Sequence, residues 1–249
     1  MSNDHTPSEI REQVYRDPRP AEAMRPFHEW ARANEPGWTY GAVRVVLTPV
    51  ALGLYRTRAI GRGNVPASGG FVLAPNHFSN MDHFFCGVHL RRQIRFMSKS
   101  DFFGRNPAIS YLFRVCGHFP VRRGHADEEA FATAHSILAR GGCVGMYAEG
   151  GRSRSGGLGE PRPGIGRLAL ESGAPVVPVA IHGSLEVRGW RRGRFPRITV
   201  SYGEPVRLGR TPGPTREQQV EASREIFAQV RSLYYDLDGA AGDSTPDPR

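Results

Sequence analysis

Apolar positions along this chain recur at two spacings, and the chain switches repeatedly between them. Short apolar runs at 71–74, 93–97, 143–148 and 176–181 have strand character. Between them, 82–90, 107–116, 127–140 and 163–172 carry apolar residues at helical spacing, with Gly141 and Gly142 as a helix stop after the third. Such alternation predicts an α/β fold, a layered mixed sheet flanked by helices. A further strand is expected at 197–202 on a sheet edge. A last helix at 215–237 sets Val220, Ile226, Phe227, Val230, Leu233 and Tyr234 on one stripe that packs across the sheet.

The ends of the chain read differently. Residues 1–40 mix charge, proline and aromatic side chains, which suggests a loose arm with one short helix near 21–34. The amphipathic stretch 40–57, with Arg44 and Arg56 around its most apolar part, suits either a helix lying flat at a lipid interface or a core helix. It is too short and too interrupted, by Thr48 and Pro49, for the roughly 20 apolar residues of a spanning helix. The opening residues are polar and acidic, unlike a secretory signal, so the expected location is cytoplasmic. Three units follow: an arm with an interfacial segment at 1–57, a main domain at 58–237, and a disordered tail at 238–249.

Composition sharpens this picture. At 249 residues and 39% hydrophobic the chain fills a substantial core. Its 33 basic and 24 acidic residues leave a net charge of +9, carried almost wholly by arginine because Lys99 is the sole lysine. That balance attracts an anion, whether nucleic acid, an anionic leaflet or a phosphorylated substrate. Cys86, Cys116 and Cys143 lack the spacing of a zinc or redox motif and read as buried free thiols.

Four places carry candidate chemistry. In Ala74-Pro-Asn-His-Phe-Ser-Asn-Met-Asp82, His77 precedes Asp82 by five positions, on a loop between a strand and a helix. A carboxylate on one imidazole nitrogen fixes the tautomer and leaves the other nitrogen to take a proton, which makes a general-base pair. The alternatives are a loop histidine bound to local backbone and a helix N-cap aspartate. His83 and His89 crowd the same stretch but fall on different helix faces, so no metal is expected. Tyr147-Ala-Glu-Gly-Gly-Arg-Ser-Arg-Ser-Gly-Gly157 reads as an anion cradle after a strand, with Glu149 orienting an arginine, or else as a solvated basic loop. Gly117-His-Phe-Pro-Val-Arg-Arg-Gly124 offers Arg122 or Arg123 to the same anion, unless both are ordinary surface charges. Lys99 suits a position needing a compact ammonium, or is an accident of usage.

Taken together in this order, these segments resemble the glycerolipid acyltransferase family, over roughly residues 50 to 205. Asn76, His77 and Asp82 match its N-H-x-x-x-x-D block, and Gly117, Phe119, Val121 and Arg123 its G-x-F-x-V-x-R block. The block usually written F-P-E-G-T-R-S stands here as Tyr147-Ala-Glu-Gly-Gly-Arg-Ser153, and Val177, Pro178 and Val179 match V-P-V. Ala148 in place of proline and Gly151 in place of threonine loosen the third block and bear on which acceptor is used.

The resemblance makes 58–237 an acyltransferase domain. It implies transfer of a fatty acyl group from acyl-coenzyme A or acyl carrier protein to the hydroxyl of a lysophospholipid, lysophosphatidate first. His77 is then the base and Asp82 its partner, while Asn76, Lys99, Arg123, Glu149, Gly150, Arg152 and Ser153 bind substrate. No metal or organic cofactor is implied. An anionic membrane is the expected surface partner, on the inner face of the cell membrane. Two other readings are another lysophospholipid or a glycolipid as acceptor, and a catalytically idle protein using its arginines on nucleic acid or membrane. The last lacks a recognisable nucleic-acid motif.

Overall fold

The computed structural model describes residues 17–153 and 157–242; readings made for 1–16, 154–156 and 243–249 lie outside the described residues. Seven strands form one sheet: β1 (Arg58–Ile60), β2 (Phe71–Pro75), β3 (Ile94–Lys99), β4 (Phe119–Val121), β5 (Cys143–Gly145), β6 (Val176–His182) and β7 (Thr199–Tyr202). Their order is β1-β7-β6-β2-β5-β3-β4, and every pairing is parallel except β6 with β7. The sheet is therefore mixed, as the alternation predicts. Among the described residues seven α-helices join it: α1 (Arg25–Ala33), α2 (Trp38–Pro49), α3 (Asp82–Val88), α4 (Pro107–Val115), α5 (Glu128–Ala139), α6 (Pro163–Ser172) and α7 (Arg216–Gly242).

Alternation along β2 shows how the layers are made. Phe71 and Leu73 point to one face and Val72 and Ala74 to the other, and all four are buried. The Val72 face is covered by α1, α5, α6 and α7 through Ala31, Phe131, Ile165 and Phe227. The Phe71 face is covered by α3 and the segment after α2, through Phe85, Cys86 and Tyr55.

Four expectations change. β7 is not an edge strand, because β1 pairs outside it; three residues, Arg58–Ile60, give too little alternation to read as a strand. The strand expected at 143–148 stops at Gly145, and a turn follows in which the Gly150 N–H donates to the Tyr147 carbonyl. The arm is not loose from residue 17 onward: Ala31 and His28 are fully buried, and Asp17 accepts from Ser100 Oγ and Arg19. The last helix runs on to Gly242, so the tail does not begin at 238.

The interfacial segment divides its faces. Tyr40 Oη accepts from the Ile94 N–H, and Arg44 donates to the Val88 carbonyl, so one side of α2 grips the domain. The other side exposes Trp38 (83%), Val45 (72%) and Val46 (71%), and the π-helical turn Val50–Leu54 adds Leu52 and Leu54. α4 meets α2 where Thr39 Oγ1 donates to the Val115 carbonyl, and it exposes Ile109, Tyr111 and Leu112. Among the described residues no helix is long and apolar enough to cross a membrane. Cys86 and Cys143 are buried thiols, whereas Cys116 is half-buried.

Candidate active site

β2 ends at Pro75, and the loop beyond it is built around His77. Asn76 is fully buried, and its side chain continues the β2–β6 ladder: Oδ1 accepts from the Ile181 N–H at 2.7 Å and Nδ2 donates to the Ile181 carbonyl at 3.2 Å. Asn76, read from sequence as a substrate contact, fixes where the loop starts, because a buried carboxamide must be satisfied and these bonds satisfy it. Next comes His77, whose Nδ1 lies 2.9 Å from Asp82 Oδ2. The same oxygen accepts the Phe78 and Ser79 N–H groups, each at 2.7 Å. Asp82 therefore does not cap α3, where Met81 holds the cap position; it gathers its own loop and the imidazole.

The acceptor at Nδ1 is a carboxylate, so Nδ1 carries the proton and Nε2 keeps its lone pair. Burial lowers the His77 pKa below its ordinary 6.5, Asp82 partly restores it, and the charges of Arg123 and Arg152 lower it further. The imidazole is thus neutral at physiological pH. Tyr147 stacks on it, with ring centroids 3.7 Å apart and planes 14° from parallel.

The glycine-rich loop after β5 holds His77 from the other side. Glu149 Oε1 accepts the His77 N–H at 2.9 Å, and Oε2 accepts the Gly159 N–H at 2.7 Å. The expectation that Glu149 orients an arginine is thereby corrected, since both oxygens serve backbone donors. Burial nevertheless raises its pKa. Ser153 donates its N–H to the His77 carbonyl at 2.9 Å and its hydroxyl to the Gly157 carbonyl at 2.6 Å. So Ser153, also read as a substrate contact, closes the loop on His77. Gly150 has φ +67°, and a Cβ there would stand 2.9 Å from Arg162 Cγ; that position needs glycine.

Two arginines read as alternatives are separated by the fold. Arg122 turns to Asp127 and Arg19: its backbone N–H donates to Asp127 Oδ2 at 2.7 Å, its Nε lies 3.7 Å from the same oxygen, and its Nη1 donates to the Arg19 carbonyl. Arg123 faces the loop after β5, where its Nη1 would lie 3.5 Å from a Cβ on Gly151, and its pKa is lowered by burial and by Arg152. Lys99, at the end of β3, pairs with Asp101, which also meets Arg105 at 3.1 Å. Sequence reasoning missed Tyr147 as a ring support and Glu149 as a backbone clamp. For the first, an aromatic in a motif block was the available signal; for the second there was none, because the donors are main-chain groups. Among the described residues no group of three or more His, Cys, Asp or Glu side chains is placed to hold a metal.

Residues 56–182, about half of the chain, match a family model described as Acyltransferase. The chain is 28% identical over 199 residues to a 1-acyl-sn-glycerol-3-phosphate acyltransferase of Chlamydomonas reinhardtii, a match covering 78% of this chain and 58% of that relative's length. It is 28% identical over 181 residues to the 1-acyl-sn-glycerol-3-phosphate acyltransferase of Bacillus subtilis, covering 70% and 86%. The crystal structure of the 1-acyl-sn-glycerophosphate acyltransferase PlsC from Thermotoga maritima shares the fold, with a TM-score of 0.56 at 18% identity over 84% of this chain and 87% of that one.

Proposed function

The chain belongs to the Acyltransferase family, and on that premise we propose that it moves a fatty acyl group from an acyl thioester to the free hydroxyl of a lysophospholipid, lysophosphatidate first. One observation carries the reading: a neutral, half-caged imidazole, 2.9 Å from Asp82 at Nδ1 and flanked by Arg123 and Arg152. His77 Nε2 takes the hydroxyl proton as the oxygen attacks the thioester carbonyl. Asp82 holds the ring and stabilises the imidazolium. When the tetrahedral centre collapses, the C–S bond breaks and the proton on Nε2 passes to the departing sulfur. Arg123 and Arg152 hold the acceptor phosphate by paired, charge-assisted hydrogen bonds, and Lys99 adds charge at the same end of the sheet. The names of the relatives support lysophosphatidate as acceptor.

Coenzyme A and acyl carrier protein are the two donor classes for this thioester. The exposed apolar faces of α2 and α4 rest on an anionic membrane surface, the inner face of the cell membrane, where both lipids of the reaction reside. Gly151, which sets no side chain of its own against Arg123, favours a second reading in which a bulkier lysophospholipid or a glycolipid is the acceptor.

The test is thiol release from acyl-coenzyme A and from acyl carrier protein with a panel of acceptors in anionic vesicles. Release dependent on lysophosphatidate, reduced about 10³-fold or more in folded His77→Ala, supports the reading. Release that needs a different acceptor moves the assignment to that lipid. No acceptor-dependent release with either donor overturns it.

A further inference from the structure

We propose that a second anion site lies at the opposite end of the sheet from His77, in a cavity of about 270 Å³ lined by Arg91, Arg92, Arg95 and Arg140, and that it takes a phosphoryl group.

Its position follows from strand register. Ile94 of β3 and Phe71 of β2 both stand opposite Cys143 of β5, so the three parallel strands start together, and the cavity walls include Gln93, Gly142 and Cys143 at those starts. His77 follows the far end of β2. Five residues of strand separate the ends, on the order of 15 Å. An acceptor phosphate beside His77 does not reach this cavity.

Its chemistry follows from what the arginines touch. Glu35 is the one acidic residue in the lining, and none of the four arginines forms an ion pair among the described residues. Three of them are held by carbonyls instead, and Arg92 also lies over the Phe71 ring at 5.1 Å. Arg92 donates to Pro66, Gly69 and Gly141; Arg95 donates to Ala31 at 2.6 Å and to Gly117; Arg140 donates to Arg32 and Ala31. Carbonyls orient a guanidinium without neutralising it. Arg95 is only 4% exposed, and burial together with the like charge of Arg140 brings its pKa down to about 10. Glu35 offsets part of this without pairing with Arg95, and a buried, fixed positive charge so incompletely balanced is costly unless an anion completes it. Guanidinium forks match the paired oxygens of a phosphoryl group, and the cavity has room for the group together with the carbon or phosphate it is attached to.

Two sources supply that chemistry. Glu35 and Pro36 of the wall lead directly into α2, whose Trp38 is exposed, so the headgroup of a membrane lipid is within reach of the site if α2 rests on the bilayer. A soluble phosphate ester is the other.

The experiment is calorimetric titration of the full chain with inorganic pyrophosphate. Wild type is compared with the double variant Arg91→Gln/Arg140→Gln, both of whose side chains are exposed, with Arg123→Gln in the His77 site, and with Arg224→Gln, a remote exposed charge. All are first checked by thermal melting. The proposal predicts a binding component that survives in Arg123→Gln and Arg224→Gln and weakens about tenfold or more in the double variant. Unchanged binding in the double variant, equal weakening in all three, or no binding by wild type overturns it. Sedimentation with phosphatidylcholine vesicles, with and without phosphatidate, then separates the sources. Loss of phosphatidate-dependent sedimentation in the double variant, with competition by pyrophosphate, identifies the headgroup. Unchanged sedimentation with weakened pyrophosphate binding identifies the soluble ester. The outcome is independent of acyl transfer, so this proposal and the assigned reaction fail separately.

Discussion

The loop after β2 and the loop after β5 meet at His77 and are built in opposite ways. In the first, Asn76 and Asp82 are fully buried, and their side-chain bonds go to backbone or to the imidazole. In the second, Ala148 and Glu149 turn inward, whereas Gly150, Gly151 and Arg152 that follow are partly open and carry permissive backbone and positive charge. In the proposed reaction the base is therefore held rigidly while the wall assigned to the ligand is adaptable. Such a division suits catalysis in which one proton acceptor must be placed accurately and the acceptor lipid varies.

Breaking the rigid side has the largest effect. Asp82→Asn removes the carboxylate that fixes the tautomer and stabilises the imidazolium, and kcat falls about 10²- to 10⁴-fold with little change in KM, measured by steady-state thiol release. Breaking the adaptable side acts on binding instead. Arg123→Gln raises KM for a phosphate-bearing acceptor about tenfold or more and leaves KM for the thioester donor near its starting value. Glu149→Gln lies between the two loops. An amide there puts N–H against one of the two backbone donors, His77 or Gly159, lowering kcat about tenfold and stability by about 1–3 kcal/mol in denaturant unfolding. Gly151→Thr restores the residue the family pattern carries. Its Cβ makes an ordinary contact at 3.5 Å with Arg123, so stability stays within about 0.5 kcal/mol and only the acceptor preference shifts.

A further effect comes from outside the site and leaves acyl transfer untouched. His28 is buried against Thr133, its Nδ1 3.0 Å from Oγ1, and burial lowers its pKa to about 4. In the unfolded chain it protonates near the ordinary 6.5, so the unfolded state binds more protons across that interval. Stability is complete above pH 6.5, falls as the pH drops toward 4, and does so less in His28→Gln, as thermal melts across that range would show.

The two loops also differ in how much of them could be read in the sequence. The His77–Asp82 pairing was legible because a side chain speaks to a side chain at a fixed spacing within one motif. The structural roles of Asn76, Glu149 and Ser153 were not legible, because their partners are main-chain groups of Ile181, Gly159 and His77, which no residue pattern announces. Strands with long buried runs, β2 and β6, were legible from periodicity, whereas β1 owes its existence to pairing with β7 and leaves little local signal. Likewise the split between Arg122 and Arg123 depends on Asp127, five residues on, pairing with the first of them at 3.7 Å.

The central claim is that His77 is a neutral base poised between Asp82, which raises its pKa, and Arg123, which lowers it. The acid limb of kcat/KM for acyl transfer, measured in wild type, Asp82→Asn and Arg123→Gln, tests this directly. The account predicts a wild-type limb below pH 6.5, moved to lower pH in Asp82→Asn and to higher pH in Arg123→Gln. A limb that is absent, or that both substitutions leave in place, contradicts it.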